Sequence, residues 1–296
     1  MRLNQPVEEQ MDRLTELSLP PIARRTFVTT LVAGFTLASG PLRADAIVTD
    51  ANGLDAGAVD VKVADGKIPA YRAKPAGKTG APVVLVVQEV FGIHEHIKDL
   101  CRRLAHSGYY AIAPSLYARY GDPGKYDMAH VMDLLKDVVS KVPDHEVMSD
   151  LDSTVEFAKG EGARTASLGI TGFCWGGRVV WLYAAHNHDL KAGVAWYGPL
   201  AGTDSDLRPK TAIELAPQLK APVLGLYAGL DQNITAADIA AMKKALADSG
   251  NAKSQIDVFA DAQHGFNADY RPSYNEKDAK EGWARMLSWF TSNGVG

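Results

Sequence analysis

Ser167-Leu-Gly-Ile-Thr-Gly172-Phe-Cys174-Trp-Gly176-Gly177-Arg-Val-Val180 is the stretch on which the reading of this chain turns. A strand-forming run leads into Gly-x-Cys-x-Gly and a helix-forming run follows, the G-x-S-x-G elbow pattern with cysteine in place of serine. The spacing has a physical cause. A side chain held at a sharp strand-to-helix turn needs strained backbone angles, and glycine two residues to either side lets the chain pass without steric conflict. The side chain then stands at a helix N-terminus, where the macrodipole favours a thiolate. Most lone cysteines are inert core residues, so the weight rests on the position of Cys174 between strand and helix. Cys101 falls on the apolar stripe of its helix and reads as core.

On either side of the elbow, strands and helices alternate. Val61–Val63 and Ile68–Ala73 read as a hairpin around Asp65-Gly66. Ala81–Val87 is a continuous apolar run, the mark of a strand buried on both faces. The pattern predicts further strands at Tyr109–Ala113, Ala166–Thr171, Ala192–Trp196, Pro222–Tyr227 and Gln255–Phe259. Helices are predicted at Glu95–His106, Ala129–Lys141, His145–Lys159, Trp175–His186, Ala236–Asp248 and Lys277–Phe290. Gly198–Lys220 reads as a long loop beside the reactive site. Such alternation implies a mostly parallel, twisted sheet with helices on both faces, an α/β architecture in one domain spanning 47–296.

An elbow nucleophile needs an acid and a histidine later in the chain, each just past a strand end. Pro222–Tyr227 runs through Gly229 to Asp231, and Gln255–Phe259 leads to His264-Gly265-Phe266. His264 would take the thiol proton and Asp231 would fix its tautomer, with Asp261 a competing acid. Glu89, at the end of an all-apolar strand, should have a raised pKa unless a partner holds its charge. The order nucleophile, acid, histidine is that of an α/β-hydrolase.

The chain here resembles the dienelactone hydrolase family over Val61 to Phe290. The resemblance rests on Gln88-Glu-Val-Phe-Gly92, Ala113-Pro-Ser-Leu-Tyr117, Gly172-Phe-Cys-Trp-Gly-Gly177 and His264-Gly-Phe266, and is closest to a bacterial branch across Gln88–Leu104. It implies that Glu89 sits beside Cys174 and helps to activate it. The backbone N–H groups of Trp175 and Val90 would form the oxyanion hole, in accord with the general rule for the fold. The family holds its substrate carboxylate with arginines, one of them four residues past the histidine, where this chain has Ala268. Arg271 is the nearest arginine to that position, and Arg119 is a second candidate; Tyr117, Trp175 and Tyr270 are candidate pocket aromatics. The expected reaction is cleavage of an ester or lactone through an acyl-thioester on Cys174. General esterase or thioesterase activity and a redox-responsive thiol are the alternatives.

Composition narrows the remaining classes. The chain has 296 residues, 46% hydrophobic and 22% charged, with a net charge of −4. That is ordinary globular chemistry with no basic footprint for nucleic acid. His94-Glu-His96 invites a metal reading, but histidines two apart on a helix diverge, so the expectation is a surface role and no metal. The glycines around Cys174 match no nucleotide-binding pattern, and no cofactor is expected. At the N-terminus, Arg24-Arg25 precedes a short apolar stretch and then Ala44-Asp45-Ala46. Residues 1–46 therefore resemble a twin-arginine export signal, cleaved after Ala46, which would engage the export machinery and deliver the protein to the periplasm or beyond.

Overall fold

The computed structural model describes residues 46–202, 205–251 and 253–296. The twin-arginine-like segment, apart from Ala46, lies outside the described residues. Eight strands form one sheet in the order β1-β2-β4-β3-β5-β6-β7-β8. They are β1 (Leu54–Val63), β2 (Gly66–Pro75), β3 (Pro82–Val87), β4 (Tyr110–Pro114), β5 (Arg164–Phe173), β6 (Leu190–Trp196), β7 (Val223–Ala228) and β8 (Gln255–Phe259). From β4 through β8 every neighbouring pair is parallel, whereas β1 and β2 form an antiparallel hairpin at one edge. Between the strands lie α1 (Glu95–His106), α2 (Val131–Asp137), α3 (Asp144–Gly160), α4 (Trp175–His186), α5 (Ala212–Leu215), α6 (Ala236–Asp248) and α7 (Glu276–Ser292).

β3, β4 and β7 are buried along their whole length, as the apolar runs predict, and β5 and β6 are exposed only near their starts. Every residue of β3 and β7 is buried, which leaves no solvated face and explains why neither strand alternates. The edge hairpin is much longer than its sequence suggests. β1 is mostly Asp, Ala, Gly and Lys outside its valines and is only partly buried, so its hydrophobic signal is confined to the last three residues. The helix expected over Ala129–Lys141 is broken at Val138, whose angles of φ −123° and ψ −65° are not helical. A β-branched pair, Val138-Val139, offers little resistance to that break. The loop after β6 carries the short helix α5, started by a capping box between Thr211 and Glu214.

Close packing at the elbow is set by main chain rather than side chains. A Cβ on Gly172 would come within 2.3 Å of the Gly176 carbonyl oxygen, and one on Gly176 within 2.5 Å of the Val87 oxygen. The strand-to-helix turn and the end of β3 therefore touch backbone to backbone. Gly176→Ala is expected to destabilise the protein by about 1–3 kcal/mol or more through forced main-chain displacement. In Gly57→Ala, on the edge hairpin, the new methyl meets nothing within 4 Å, so its loss should be far smaller. Urea denaturation of the two variants checks the difference.

Candidate active site

Four of the residues singled out in the sequence follow the carboxyl ends of parallel strands: Glu89 after β3, Cys174 after β5, Asp231 after β7 and His264 after β8. Ligand sites of open α/β sheets occupy this edge, because the connecting loops converge there over the strand ends.

Cys174 is the residue between β5 and α4, with φ 53° and ψ −118°. Positive φ is unusual for a non-glycine residue, and among the described residues only Tyr197 shares it, at φ 36°. The turn is pinned from both sides. The Cys174 N–H donates to the Trp196 carbonyl at 3.0 Å, and its own carbonyl accepts from Gly177 N–H at 2.9 Å. Tyr197 follows β6 directly, so both strained residues sit on adjacent strand ends.

His264 and Asp231 form a buried pair, with Nδ1 and Oδ2 2.7 Å apart. Asp231 is fixed in turn by the N–H groups of Asn233 and Ile234, which donate to Oδ1 at 2.8 and 3.2 Å. Burial works against an imidazolium, but the charges of Asp231 and Cys174 outweigh it and hold His264 up at about 10. Its Nε2 is buried without a normal hydrogen bond among the described residues, and it couples electrostatically to Cys174. The Tyr197 ring packs edge-on against the imidazole, centroids 5.2 Å apart. The competing acid of the sequence, Asp261, is not the partner of His264.

Glu89 is fully buried, and its charge is held. The Tyr270 hydroxyl donates to Oε2 at 2.5 Å and Arg271 Nη2 donates to Oε1 at 3.1 Å, while His94 Nε2 lies 3.5 Å from Oε2. Burial would raise this carboxyl, but Arg271 and His94 overcome it and hold it well below the usual carboxylate range. Tyr270 and Arg271, candidate substrate contacts in the sequence, thus turn their polar ends to Glu89. Arg119 is held by Asp65 and Asp150, with contacts of 2.6 and 2.7 Å. Ala268 is completely buried.

His94-Glu-His96 is not the surface feature expected. His96 is buried, with Nδ1 3.0 Å from Asp269 Oδ1, and His94 packs edge-on against Tyr270 at 4.8 Å. His94 is the N-cap residue of α1 and His96 lies in its first turn, both turned toward buried partners, while Glu95 between them is exposed. Among the described residues no group of three His, Cys, Asp or Glu is placed to hold a metal ion. Cys101 is buried, and burial pushes its thiol far up.

A cleft opens above Cys174, lined by Val90, Leu135, Val139, Trp175, Pro199, Arg208 and neighbouring loop residues. Tyr117 is fully buried and packs edge-on against the lining residue Trp175 at 5.0 Å. Sequence reasoning missed Tyr197 and Arg208. Tyr197 follows a parallel strand end, which was a usable signal. Arg208 sits in a loop with no periodicity to single it out.

Removing Arg271 would leave the Glu89 charge buried and unpaired, so Arg271→Met is expected to cost about 3–5 kcal/mol. Because the folded state depresses the Glu89 pKa, the pair stabilises at pH above its unfolded value of about 4.5 and loses that contribution as pH falls. Glu89→Gln should flatten this acid limb, and denaturation followed from pH 7 to 3 reads both effects.

Residues 68–293 match the family model of the dienelactone hydrolase family. A candidate carboxymethylenebutenolidase of Methylorubrum extorquens is 56% identical over 277 residues, covering 93% of this chain and 94% of that protein. One from Salmonella typhi is 51% identical over 90% of this chain and 98% of its own length. The crystal structure of a candidate dienelactone hydrolase from Klebsiella pneumoniae superposes with a TM-score of 0.77 at 51% identity, covering 80% of this chain and 98% of that one. With an α/β-hydrolase sheet and a family match across nearly the whole of it, this chain belongs to the dienelactone hydrolase family and is a hydrolase of that kind.

Proposed function

We propose that the protein cleaves a small-molecule ester or lactone with Cys174 as nucleophile, through an acyl-thioester. The observation that carries this is the strained turn at Cys174 opposite a His264 imidazole whose other nitrogen is locked onto Asp231. With Nδ1 committed to Asp231, Nε2 is the nitrogen left to exchange a proton with the thiol.

In the first half-reaction Sγ attacks the carbonyl carbon while its proton passes to His264 Nε2. The carbonyl π electrons move onto oxygen. Trp175 is the first residue of α4, so its N–H has no acceptor within the helix, and with Val90 N–H it would receive that oxyanion. The tetrahedral centre collapses, the C–O bond breaks, and the leaving oxygen takes the proton from His264. In a lactone the leaving alcohol stays attached to the acyl chain. In the second half-reaction His264 accepts a proton from water, hydroxide adds to the thioester, and the C–S bond breaks. Sγ recovers its proton and the acid is released.

Glu89 would act as a positioning residue. It anchors Arg271, whose positive charge couples to Cys174. The same elements argue against a purely redox-responsive thiol, because oxidation of Cys174 requires no Asp231–His264 pair.

Cys174→Ala should abolish turnover of cis-dienelactone and of an aryl ester. His264→Ala and Asp231→Asn should each lower kcat by about 10³–10⁴-fold. His264→Ala should also slow alkylation of Cys174 by iodoacetamide at pH 7, since the imidazolium no longer stabilises the thiolate. Full turnover by Cys174→Ala would sink the covalent mechanism.

Export belongs to the same reading. Arg102 Nε donates to the Thr49 carbonyl at 2.6 Å, and His106 Nε2 lies 3.0 Å from the Asp50 carbonyl. A cut after Ala46 would leave every one of these ties intact.

A further inference from the structure

The cleft above Cys174 is too small for the reaction proposed there. Its cavity measures about 60 Å³, room for a few waters, whereas small-molecule pockets run to about 300–1,000 Å³. The shortfall has a structural cause. One wall is Leu135 and Val139, on either side of the helix break at Val138. The facing wall is the loop after β6, with Pro199, Arg208 and Thr211. Arg208 joins the two. Its Nη2 donates to the Val139 carbonyl, so one side chain ties wall to wall across the cleft.

This tie is weaker than the anchors around it. The Asp144 N–H donates to the Leu207 carbonyl at 2.8 Å. Arg178 donates to both Asp144 carboxylate oxygens at 2.7 and 2.8 Å and to the Lys210 carbonyl at 2.8 Å. A bidentate charged pair of that kind is strong and holds its geometry. Arg208, by contrast, makes a single side-chain bond to a neutral carbonyl. That carbonyl also accepts from the Val142 N–H at 3.3 Å, so releasing Arg208 leaves no orphaned acceptor. Among the described residues no carboxylate forms an ion pair with Arg208, and burial and the Arg178 charge push its pKa below the ordinary value. A cation held in this way recovers hydration when it swings out. Its neighbours Leu207, Pro209 and Lys210 are exposed, so the segment can move without opening the core.

We infer that residues 207–211 form a strap latched shut by Arg208 on the Val139 carbonyl, and that substrate reaches Cys174 only when this latch opens. The inference rests on the reading of Cys174 as the reacting group and adds how access to it is controlled. Arg178 and Asp144 are the pivot, and the Arg208 side chain is the part that lets go. Closure of this kind keeps bulk water from the reacting atoms, and opening is often the slow step of turnover.

The test measures access to Cys174 directly, as the rate of its alkylation read by peptide-resolved mass spectrometry. Iodoacetamide is the small reagent and N-(1-pyrenyl)maleimide the bulky one. With the open state populated to about 1–10%, the bulky reagent should react slowly with wild type. Arg208→Met keeps the aliphatic stem and removes the donor. The bulky-to-small rate ratio should then rise by about 10- to 100-fold, the gain expected when the competent fraction approaches one. A change in thiol reactivity alone moves both rates together and cancels in that ratio. Arg208→Lys can still donate to the carbonyl and should raise the ratio less. A ratio unmoved by Arg208→Met, or a wild type that the bulky reagent labels as fast as the small one, overturns the inference. If Arg208→Met does not fold, a rise or no rise in Arg208→Lys decides in the same way. The labelling needs no turnover. The expected ratios in a protein that cleaves no ester would sink the hydrolase reading and uphold the strap, whereas turnover with an unmoved ratio overturns the strap alone.

Discussion

Everything at this site depends on how closely three pieces of main chain approach one another around Cys174. The ends of β3 and β5 and the first turn of α4 meet at distances that exclude a Cβ, with Gly176 against the Val87 carbonyl and Gly172 against Gly176 itself. That contact forces the chain to reverse within one residue, and Cys174 absorbs the reversal at φ 53°. The strain is therefore a consequence of packing, sustained because the neighbouring strands over-determine it. It also delivers the thiol to the helix N-terminus and to the face where the strands end. A looser turn would let the side chain relax away from His264.

The second constraint is electrostatic. The region buries three carboxylates, and each is matched by a cationic partner rather than by solvent. Asp231 is paired with His264, Glu89 with Arg271, and Asp269 with His96 and Arg103. Buried pairs add little net stability, but removing one partner is expensive, so the arrangement fixes which groups are charged. Glu89 stays ionised in a place where an isolated carboxyl would be neutral. His264 stays ready to hold a proton despite burial. The charge pattern thus suits the proposed reaction, in which a proton passes between Cys174 and His264 and a negative charge forms near Trp175.

Much of this was legible in the sequence, and the reason is geometric. Residues placed directly after buried parallel strands inherit their position from an unmistakable apolar run and a glycine-marked turn, so Cys174, Asp231, His264 and Glu89 could be read with their neighbours. Side chains whose partners are distant in sequence could not. Tyr270 and Arg271 looked like pocket residues because they follow His264, yet their polar ends close on Glu89, some 180 positions earlier. His94 and His96 looked exposed because a helix start usually is, and nothing local announces Glu89 and Asp269 as their buried counterparts. The edge hairpin was underestimated because half-exposed strands carry weak hydrophobic signal, and the helix break at Val138 leaves no glycine or proline to mark it.

The same division runs through function. Elements that hold reacting groups must be rigid, since small displacements at a reacting centre cost rate steeply, and strand ends welded by backbone contact provide that rigidity. Elements that choose a substrate can differ from one relative to another without disturbing the sheet, and loops tolerate such change. In this chain the wall past the histidine presents a sealed Ala268, while the loop after β6 carries Arg208 over the nucleophile. A family match across 68–293 therefore fixes the scaffold, and the loop between β6 and α5 is a part that can vary upon it.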